Sequence, residues 1–337
     1  MYKVKIVLLM LLTVLLISCG NSDNNGGKGT EIKKTAKIRV GYMPDFSGTS
    51  AAAIALEKGF FEEENLDVLL VRFLDGPSEI DAMLLNNLEF AYIGHGAHTL
   101  AIEGKVNVLF PNSLSKSEQI IVRADSQINS VSDLRGKTVG TQFGTSSEIL
   151  LNLALKTLGI NRDELNIVNM DGPTIVSSIS NKKIDVAVVQ APYTFNILKS
   201  LGNEVKTIAN TIDYSDAGAF PSSWIVTPEY QANNPDIVNR FSRAILKAMN
   251  YRTENMDEAV EIVAKQNNTD TNAVNLEKET AVWLSGYDIK NAYLDGTASK
   301  WYKSQQNIFI YTKAITNSVD INNYVQIKYM NDNIFNK

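Results

Sequence analysis

The regular part of this chain begins with the predicted strand Ile38-Arg39-Val40-Gly41-Tyr42, a short run rich in β-branched residues. A helical stretch follows at 50–58, and a second strand is predicted at 68–71. The same alternation of short strands and longer helices continues to Val189, which is typical of βαβ units on a largely parallel sheet. The pattern therefore predicts an α/β fold.

Outward from this segment, further elements follow the same rhythm. Strands are predicted at 90–93, 106–110, 138–141, 166–169 and 184–189, and helices at 78–86, 97–103, 146–158 and 174–181. After about Pro221 the chain becomes mostly helical. The stretch 236–252 has one apolar face, which contains Ile237, Phe241, Ala244, Ile245 and Ala248.

The N-terminus predicts export. Lys3 and Lys5 precede an apolar run, 6–17, that is too short to cross a bilayer about 30 Å thick. The run ends before Ser18 and Cys19, which resembles the leader of bacterial lipoproteins, whose cysteine carries diacylglycerol. We expect a signal peptide at 1–18, lipidation of Cys19, a flexible tether at 19–35, and an extracytoplasmic protein anchored to the bacterial cell membrane. The alternative is that Cys19 is an ordinary apolar residue of a signal peptide.

Size and charge limit the possible functions. About 320 residues remain after processing, which favours two domains. Removing Lys3 and Lys5 from 32 basic residues leaves 30 against 37 acidic ones, a balance that argues against a nucleic-acid partner. Cys19 is the only cysteine, so the mature fold has no disulfide, no free thiol nucleophile and no cysteine-based metal site.

Three segments carry a family resemblance. They are Glu57–Val68, with Gly-Phe-Phe before an acidic stretch; Asp133–Gly140, with the sequence DLRGKTVG; and Asp185–Tyr193, which ends in Ala-Pro-Tyr. In this order they resemble the substrate-binding proteins of ABC importers, in the SsuA/THI5-like branch for nitrate, taurine, alkanesulfonates and thiamine-precursor pyrimidines. Taken one at a time, the first two segments are also explained by turn and helix-cap chemistry.

The resemblance implies a periplasmic-binding-protein type II fold, with two doubly wound α/β domains joined by a two-strand hinge and a helical C-terminal tail. Domain I is expected at 36–123 and 220–337, and domain II at 124–219. The chain is expected to cross between them near 122–126 and 216–221. The expected protein is a monomer whose partners are an ABC permease and its ATPase.

In such sheets a ligand binds beyond the carboxyl ends of the strands. The first loop there holds Asp45, Phe46 and Ser47. We expect Phe46 to form one wall of the site, because an aromatic ring in this loop is poorly placed for the core of its own domain. Asp45 and Ser47 are ligand candidates that have an alternative role as turn or cap residues.

A second loop holds both histidines of the chain, His95 and His98, beside Gly94 and Gly96. The glycines allow a close backbone approach to a ligand, to which either histidine can donate a hydrogen bond. The two histidines make only half of a transition-metal site, and no metal is expected. Alternatively, His98 faces solvent or packs on its own helix.

The helix that starts near Ser146 offers polar groups at its positive end. Thr145 and Glu148 fit a capping box, while the hydroxyls of Ser146 and Ser147 suit an anion cradle. Glu148 favours an amino group over a bare anion, as do Asp45 and Glu118. A zwitterion or an aminopyrimidine is therefore better supported than nitrate.

Three further loops, at 112–118, 190–193 and 219–224, complete the predicted site, because aromatic walls beside hydroxyls and amides suit a small polar organic solute. Tyr193 and Trp224 have an alternative role as core or rim residues. The predicted contacts from these loops are Glu118, Gln190, Pro192, Tyr193, Ser222, Ser223 and Trp224.

The sequence thus predicts the extracytoplasmic solute-binding component of an ABC importer. It would capture a sulfonate, taurine, nitrate or aminopyrimidine by hinge closure and deliver it to the permease. An alternative is a lipid-anchored sensor or adhesin with this fold and no transporter. An enzyme is disfavoured: thiamine-pyrimidine synthases of this fold depend on a Cys-rich segment, whereas Cys19 stands alone here. The catalytic elbow and phosphate-loop motifs are absent from the sequence, and no cofactor is expected.

Overall fold

Two β-sheets organise residues 34–336, the part of the chain that this computed structural model describes. The predicted signal peptide at 1–18, the lipidation at Cys19 and nearly all of the tether lie outside the described residues. The strands are β1 (Ala36–Tyr42), β2 (Leu66–Arg72), β3 (Phe90–Ile93), β4 (Asn107–Ser115), β5 (Gln119–Arg123), β6 (Thr138–Thr141), β7 (Asn166–Asn169), β8 (Val186–Val189), β9 (Val205–Asn210), β10 (Pro221–Val226) and β11 (Ala281–Trp283).

Helices surround both sheets. They are α1 (Phe46–Glu57), α2 (Phe60–Glu63), α3 (Gly76–Leu84), α4 (His98–Ile102), α5 (Ser146–Thr157), α6 (Gly172–Ser180), α7 (Tyr193–Leu201), α8 (Pro228–Asn233), α9 (Pro235–Glu254), α10 (Met256–Asn267), α11 (Thr271–Leu276), α12 (Gly286–Leu294), α13 (Thr297–Tyr311) and α14 (Ile327–Met330). Within the described range, no helix has the length and apolar character needed to span a membrane.

The two sheets share one topology. The first has the strand order β11-β4-β10-β3-β1-β2, and the second has the order β7-β6-β8-β5-β9. In each, four strands run in the same direction and one antiparallel strand is inserted between two of them: β10 lies between β3 and β4, and β5 lies between β8 and β9. The predicted α/β architecture with two doubly wound sheets is confirmed.

The first passage between the sheets lies earlier than predicted. β4 ends in the first sheet at Ser115, and β5 begins in the second sheet at Gln119. The predicted crossing at 122–126 is therefore wrong, because 119–123 is a strand that hydrogen-bonds to β8 and β9. The predicted domain I limit at residue 123 likewise includes a strand of the second sheet. The second passage, between β9 and β10, is residues 211–220, which include all of the predicted crossing at 216–221 except Pro221, the first residue of β10. Hinged domains remain a prediction.

Local chemistry explains where the helices beside the strand ends begin. Asp45, Asp75 and Asp171 are the N-caps of α1, α3 and α6, and each carboxylate accepts a first-turn amide. Such a cap satisfies an amide that has no partner within the helix. α1 itself is nearly all small and apolar, so it is buried along most of its length against α9 and α10.

The helical tail packs on the first sheet. The predicted helix at 236–252 is observed as α9, and its predicted apolar residues Phe241, Ala244, Ile245 and Ala248 are buried. The ring of Phe241 stacks on that of Phe90 in β3, with centroids 3.8 Å apart. The tail thereby joins the core of the first sheet, and it also supplies the unpredicted strand β11.

Candidate functional site

A cavity lies where loops from both sheets meet at the strand ends. Its volume is about 440 Å³, a figure that includes space open to solvent. The centre of a water-sized molecule can reach only about 30 Å³ of it. Its walls must therefore separate before a larger solute enters. The lining residues are Met43, Asp45, Ser47, Tyr92, Gly94, His95, Ser115, Ser117, Glu118, Ser146, Gln190, Ala191, Ser222, Glu277, Thr280 and Ala281.

The structure brings together seven of the residues that the sequence predicted: Asp45, Ser47, His95, Glu118, Ser146, Gln190 and Ser222. The prediction from sequence missed Tyr92, because it considered the loops that follow the strands, whereas Tyr92 lies inside β3. It also missed Glu277, Thr280 and Ala281, which precede or begin the unpredicted β11. No local pattern marks these three residues, because they reach the cavity only through tertiary packing.

A chain of hydroxyl groups runs along one wall. The Tyr92 hydroxyl donates to Ser47 Oγ at 2.7 Å, and Ser47 Oγ lies 2.9 Å from Ser113 Oγ. Ser113 Oγ is in turn 2.8 Å from Ser222 Oγ. Each hydroxyl can both donate and accept, so these groups can rotate to meet either a donor or an acceptor on a solute.

Asp45 combines a structural role with a place on the cavity. Its Oδ1 accepts the Gly48 N–H at 2.7 Å as the cap of α1. Burial raises the pKa of this carboxyl to about 7, opposed by hydrogen bonds from backbone amides, and the charge of Glu118 raises it further. Asp45 is thus a carboxyl group that titrates near neutral pH.

Glu277 is a second such carboxyl, from a distant part of the chain. It is buried, and its Oε2 accepts the backbone N–H of Phe46 at 2.6 Å. Burial raises the pKa of Glu277 to about 8, and the charge of Asp45 adds to this rise. The two acids therefore oppose each other's ionisation.

Glu118, the third carboxyl on the cavity, is held by hydroxyl groups. Its Oε1 accepts the Ser115 hydroxyl at 2.9 Å, and its Oε2 accepts the Thr211 hydroxyl at 2.6 Å. It lies in the passage between β4 and β5 and is buried. The carboxylate is therefore fixed on the cavity by the last residue of β4 and by a residue of the passage between β9 and β10.

His95 lies between aromatic rings and keeps one nitrogen without a partner. Its ring stacks on Phe220, with centroids 4.2 Å apart, and Gln305 Nε2 lies 3.1 Å from its Nδ1. Because the same amide nitrogen donates to the His95 carbonyl, Nδ1 is assigned as an acceptor and Nε2 as the protonated nitrogen. The fully buried Nε2 has no hydrogen-bond partner, and burial lowers the pKa of His95 well below its usual value.

His98 is not on the cavity, contrary to the prediction that it contacts ligand. Its Nδ1 lies 3.1 Å from the carbonyl oxygens of Gly94 and His95, so that nitrogen carries the proton. Its Nε2 then accepts the Ser223 hydroxyl at 2.8 Å. Burial lowers the pKa of His98 to about 4. His98 and Ser223 are thus paired structural residues.

The predicted capping box at α5 is wrong. Thr145 Oγ1 donates to the Gln142 carbonyl at 2.7 Å, and Glu148 Oε2 accepts the N–H of Gly144 instead of that of Thr145. The other Glu148 oxygen pairs with Arg162 at 2.9 Å, which turns this carboxylate away from the cavity. The positive left-handed φ at Gly144 places its amide within reach of Glu148.

The two serines of the predicted cradle have different surroundings. Ser146 lines the cavity, and its Oγ has one long contact, 3.4 Å from the Gly96 N–H. Ser147 does not line the cavity, because its hydroxyl donates to Oε1 of Gln190. Ser146 is therefore available to a solute, whereas Ser147 positions Gln190.

Gly96 serves a contact between loops of the two sheets. A Cβ added here would lie 2.2 Å from the carbonyl carbon of Thr145 and 2.7 Å from the amide nitrogen of Ser146. The sequence predicted that this glycine lets the backbone approach a ligand. The structure shows that it lets the His95–His98 loop approach the start of α5.

The predicted aromatic walls lie in the core. Phe46 is fully buried against Trp283, with ring centroids 4.9 Å apart and nearly perpendicular. Trp224 is also fully buried, between Tyr92 and Phe241. Pro192 and Tyr193 border a separate groove. Burial of the Phe46 and Trp224 rings in the core stabilises the fold more than their exposure on the cavity would.

The cavity offers acceptor groups and no cation. Its described lining has three carboxyl groups and no Lys or Arg side chain. The nearby Arg252 is buried behind the wall, where it donates to Asn112, Ser50 and the Leu284 carbonyl. Among residues 34–336, no three His, Cys, Asp or Glu side chains are grouped to hold a metal ion. This arrangement is suited to a solute that brings hydrogen-bond donors or positive charge.

Comparison with known proteins identifies relatives over most of the chain. The family described as NMT1/THI5 like matches residues 48–259. A binding protein of Brucella abortus is 33% identical over 292 residues, which cover 87% of this chain and 91% of that protein. An aliphatic sulfonates-binding protein of Bacillus subtilis is 26% identical, with 96% and 94% covered. A formylaminopyrimidine-binding protein of Halalkalibacterium halodurans is 23% identical, with 78% and 79% covered.

Solved structures share the fold. The periplasmic aliphatic sulphonate binding protein of Escherichia coli aligns with a TM-score of 0.63 at 18% identity, covering 86% of this chain and 91% of that one. The desulfurization enzyme DSZB aligns with a TM-score of 0.60 at 15% identity, covering 88% and 98%. The predicted periplasmic-binding-protein fold is therefore confirmed, and the same fold includes an enzyme.

Proposed function

Because this chain belongs to the NMT1/THI5-like family, we propose that it is the extracytoplasmic solute-binding component of an ABC importer. The cavity carries the proposal: it lies between loops of two sheets, and its polar lining comes from both. A small polar organic solute would bind there when the walls close, and an ABC permease with its ATPase would receive it. Lipidation of Cys19 would hold a monomeric protein at the membrane.

The proposed ligand contacts are the predicted residues that line the cavity. Ser146, Ser222 and Gln190 offer hydrogen bonds without charge, while Asp45 and Glu118 disfavour a bare anion such as nitrate. Among the solutes named for relatives, an amine-bearing solute fits these groups better than a simple sulfonate. The other predicted residues would act indirectly, as Ser147 does through Gln190.

A thermal-shift screen tests this function. The purified full chain would be heated with taurine, an aliphatic sulfonate, nitrate and an aminopyrimidine. A solute present at about 100 times its Kd adds roughly 2.7 kcal/mol to the free energy of unfolding. Stabilisation by one solute that Ser146→Ala weakens would support the proposal. Equal melting temperatures with every solute would contradict it.

Two other functions are separable by experiment. A sensor or adhesin of the same fold would bind solute but would have no permease and ATPase encoded nearby, and its deletion would leave uptake unchanged. An enzyme would consume the solute that stabilises it. The one cysteine of the chain precedes the described fold, so no residue within 34–336 supplies a thiol nucleophile.

A further inference from the structure

The cavity has more carboxyl groups than can be ionised together unless a positive charge neutralises some of them. Asp45, Glu118 and Glu277 all line it, and the described lining contains no cationic side chain. Glu79, a fourth carboxyl, is fully buried nearby, and both of its oxygens are without a hydrogen-bond partner. Like charges in so small a space disfavour one another, so protons or an external cation must neutralise part of this group.

Asp45 and Glu277 are the pair best placed to bind a solute cation. Glu277 accepts the N–H of Phe46, which directly follows Asp45 in the chain. Glu277 accepts one backbone hydrogen bond and Asp45 accepts backbone hydrogen bonds from Ser47 and Gly48, all at the start of α1, and each carboxyl retains further acceptor positions. Glu118 already accepts two hydroxyl groups, and Glu79 does not reach the cavity.

A second, independent feature also points to a ligand. His95 lines the cavity and is fully buried, yet its Nε2 has no partner. With Nδ1 accepting from Gln305, Nε2–H is a free donor. An orphaned buried donor is costly unless a bound group accepts from it. The cavity therefore has one unused donor as well as an excess of carboxyl acceptors.

We propose that the cavity takes a solute with a cationic nitrogen, which binds Asp45 and Glu277 as carboxylates and replaces a proton that this pair holds in the empty protein. The inference rests on the proposed solute-binding function. The exchange is balanced: the cation enters with its charge, one carboxyl loses its proton to the solvent, and the N–H groups of the solute donate to the carboxylate. An acceptor elsewhere on the solute then takes the His95 Nε2–H.

The surroundings of the pair agree with this exchange. The titratable and charged groups that surround it are Glu79 on α3, Asp75 at the start of α3, Tyr92 on β3, His95 after β3, Glu118 between β4 and β5, Tyr193 on α7, Arg252 on α9 and Lys278 after α11. Arg72 on β2 borders a neighbouring groove with Glu277. Lys278 pairs with Asp257 at 2.9 Å, and the described bonds of Arg252 go to neutral groups.

Three solutes of one two-carbon frame test the inference. Taurine has an ammonium and a sulfonate group, isethionate replaces the ammonium with a hydroxyl, and ethanolamine replaces the sulfonate with a hydroxyl. Calorimetry on the full chain at pH 7, in two buffers of different ionisation enthalpy, gives both the affinity and the number of protons released. We expect taurine and ethanolamine to bind at least about tenfold more tightly than isethionate and to release protons. Their affinity should rise as the pH is raised from 6 to 8, by up to about tenfold per pH unit for each proton released.

Matched variants assign the effect to the pair. Asp45→Asn keeps a good cap for α1, and Glu277→Gln keeps an acceptor for the Phe46 amide. Each should lower the affinity for the ammonium solutes and reduce proton release, while Glu62→Gln, the same chemical change on an exposed side chain of α2, should do neither. The melting temperature of each variant shows that it is folded.

The outcomes separate the inference from the proposed function. Isethionate binding as tightly as taurine, or cationic solutes binding without proton release, would overturn the inference and leave solute capture intact. If the only solute that binds is another one from the thermal-shift screen, the inference is supported when that solute has a cationic nitrogen. It is overturned when that solute has none. If no solute binds, both proposals fail.

Discussion

The backbone N–H of Phe46 donates a 2.6 Å hydrogen bond to Oε2 of Glu277, which lies 231 positions later in the chain. This bond joins the start of α1, at the carboxyl end of the first strand, to the segment that precedes β11. It places a carboxyl from the helical tail beside Asp45 on the cavity. The chemical character of the site thus depends on a contact between two segments that are far apart in the chain.

Cys19→Ser tests the membrane anchor. We expect the variant to remain unlipidated, because a hydroxyl at this position does not replace the thiol that takes the diacylglycerol. In a detergent phase-separation experiment, the wild-type protein should enter the detergent phase and the variant should stay in the aqueous phase. Equal partitioning of the two proteins would contradict the lipoprotein prediction.

Ligand should stabilise closure of the two sheets over the cavity, since the enclosed space is too small for a solute without movement of its walls. Small-angle scattering should show a smaller radius of gyration with a stabilising solute than without it. Gly96→Ala should prevent this decrease, because the added Cβ would meet the backbone of Thr145 at 2.2 Å. A rigid pocket would instead give one radius for all samples.

Ser146 and Ser147 should respond differently to replacement by alanine. Ser146→Ala should lower affinity about tenfold with a nearly unchanged melting temperature, since its hydroxyl lines the cavity with only one long contact. Ser147→Ala should lower the free energy of unfolding by about 1 kcal/mol, because it removes the partly buried hydrogen bond to Gln190. Calorimetry and thermal melting of both variants make the comparison. Full affinity in Ser146→Ala would exclude that hydroxyl as a contact.

Asp45 should make the empty protein less stable as the pH rises. Its pKa of about 7 in the fold exceeds the ordinary 3.8, so the folded state holds the proton more tightly than the unfolded state. This contribution is fully present below about pH 4 and is lost as the pH rises to about 7. The free energy of unfolding of Asp45→Asn, relative to that of wild type, should therefore increase by roughly 2 to 4 kcal/mol between pH 4 and pH 8.

Urea unfolding at the two pH values measures this gain. Asp171→Asn is the matched control, since Asp171 is also a helix N-cap, for α6, but is exposed to solvent. It should show no comparable gain. A parallel decline of wild type and Asp45→Asn with pH would show that Asp45 is already ionised in the fold.

The elements that sequence predicted well are those whose signal is local. The strands at 90–93, 138–141 and 166–169 are observed with the predicted limits, because each is a short β-branched or apolar run between turn residues. The sequence predicts a passage between domains at 122–126, where the structure has the end of β5. This strand pairs antiparallel with β8 and β9, which lie more than sixty positions later in the chain, and such pairing leaves no local pattern.

The site shows the same division. Loops after strands could be identified in advance, because the carboxyl ends of parallel strands meet at one edge of a sheet. The sequence did not show which side chains of a loop would face the cavity. Phe46 and Ser47 are neighbours in sequence, yet the ring of Phe46 is buried against Trp283 and the hydroxyl of Ser47 reaches the cavity.

By itself, the sequence determined the α/β class, the order of most helices and strands and the family resemblance, and it supplied the prediction of an export signal, since each depends on residues that are close together in the chain. Only the tertiary structure decided the composition of the cavity. It placed Glu277 beside Asp45, paired His98 with Ser223, turned Glu148 toward Arg162 and left His95 Nε2 without a partner. The physical reason is that burial and charge at a site depend on which distant segments pack together, and a local sequence pattern carries no information about that packing.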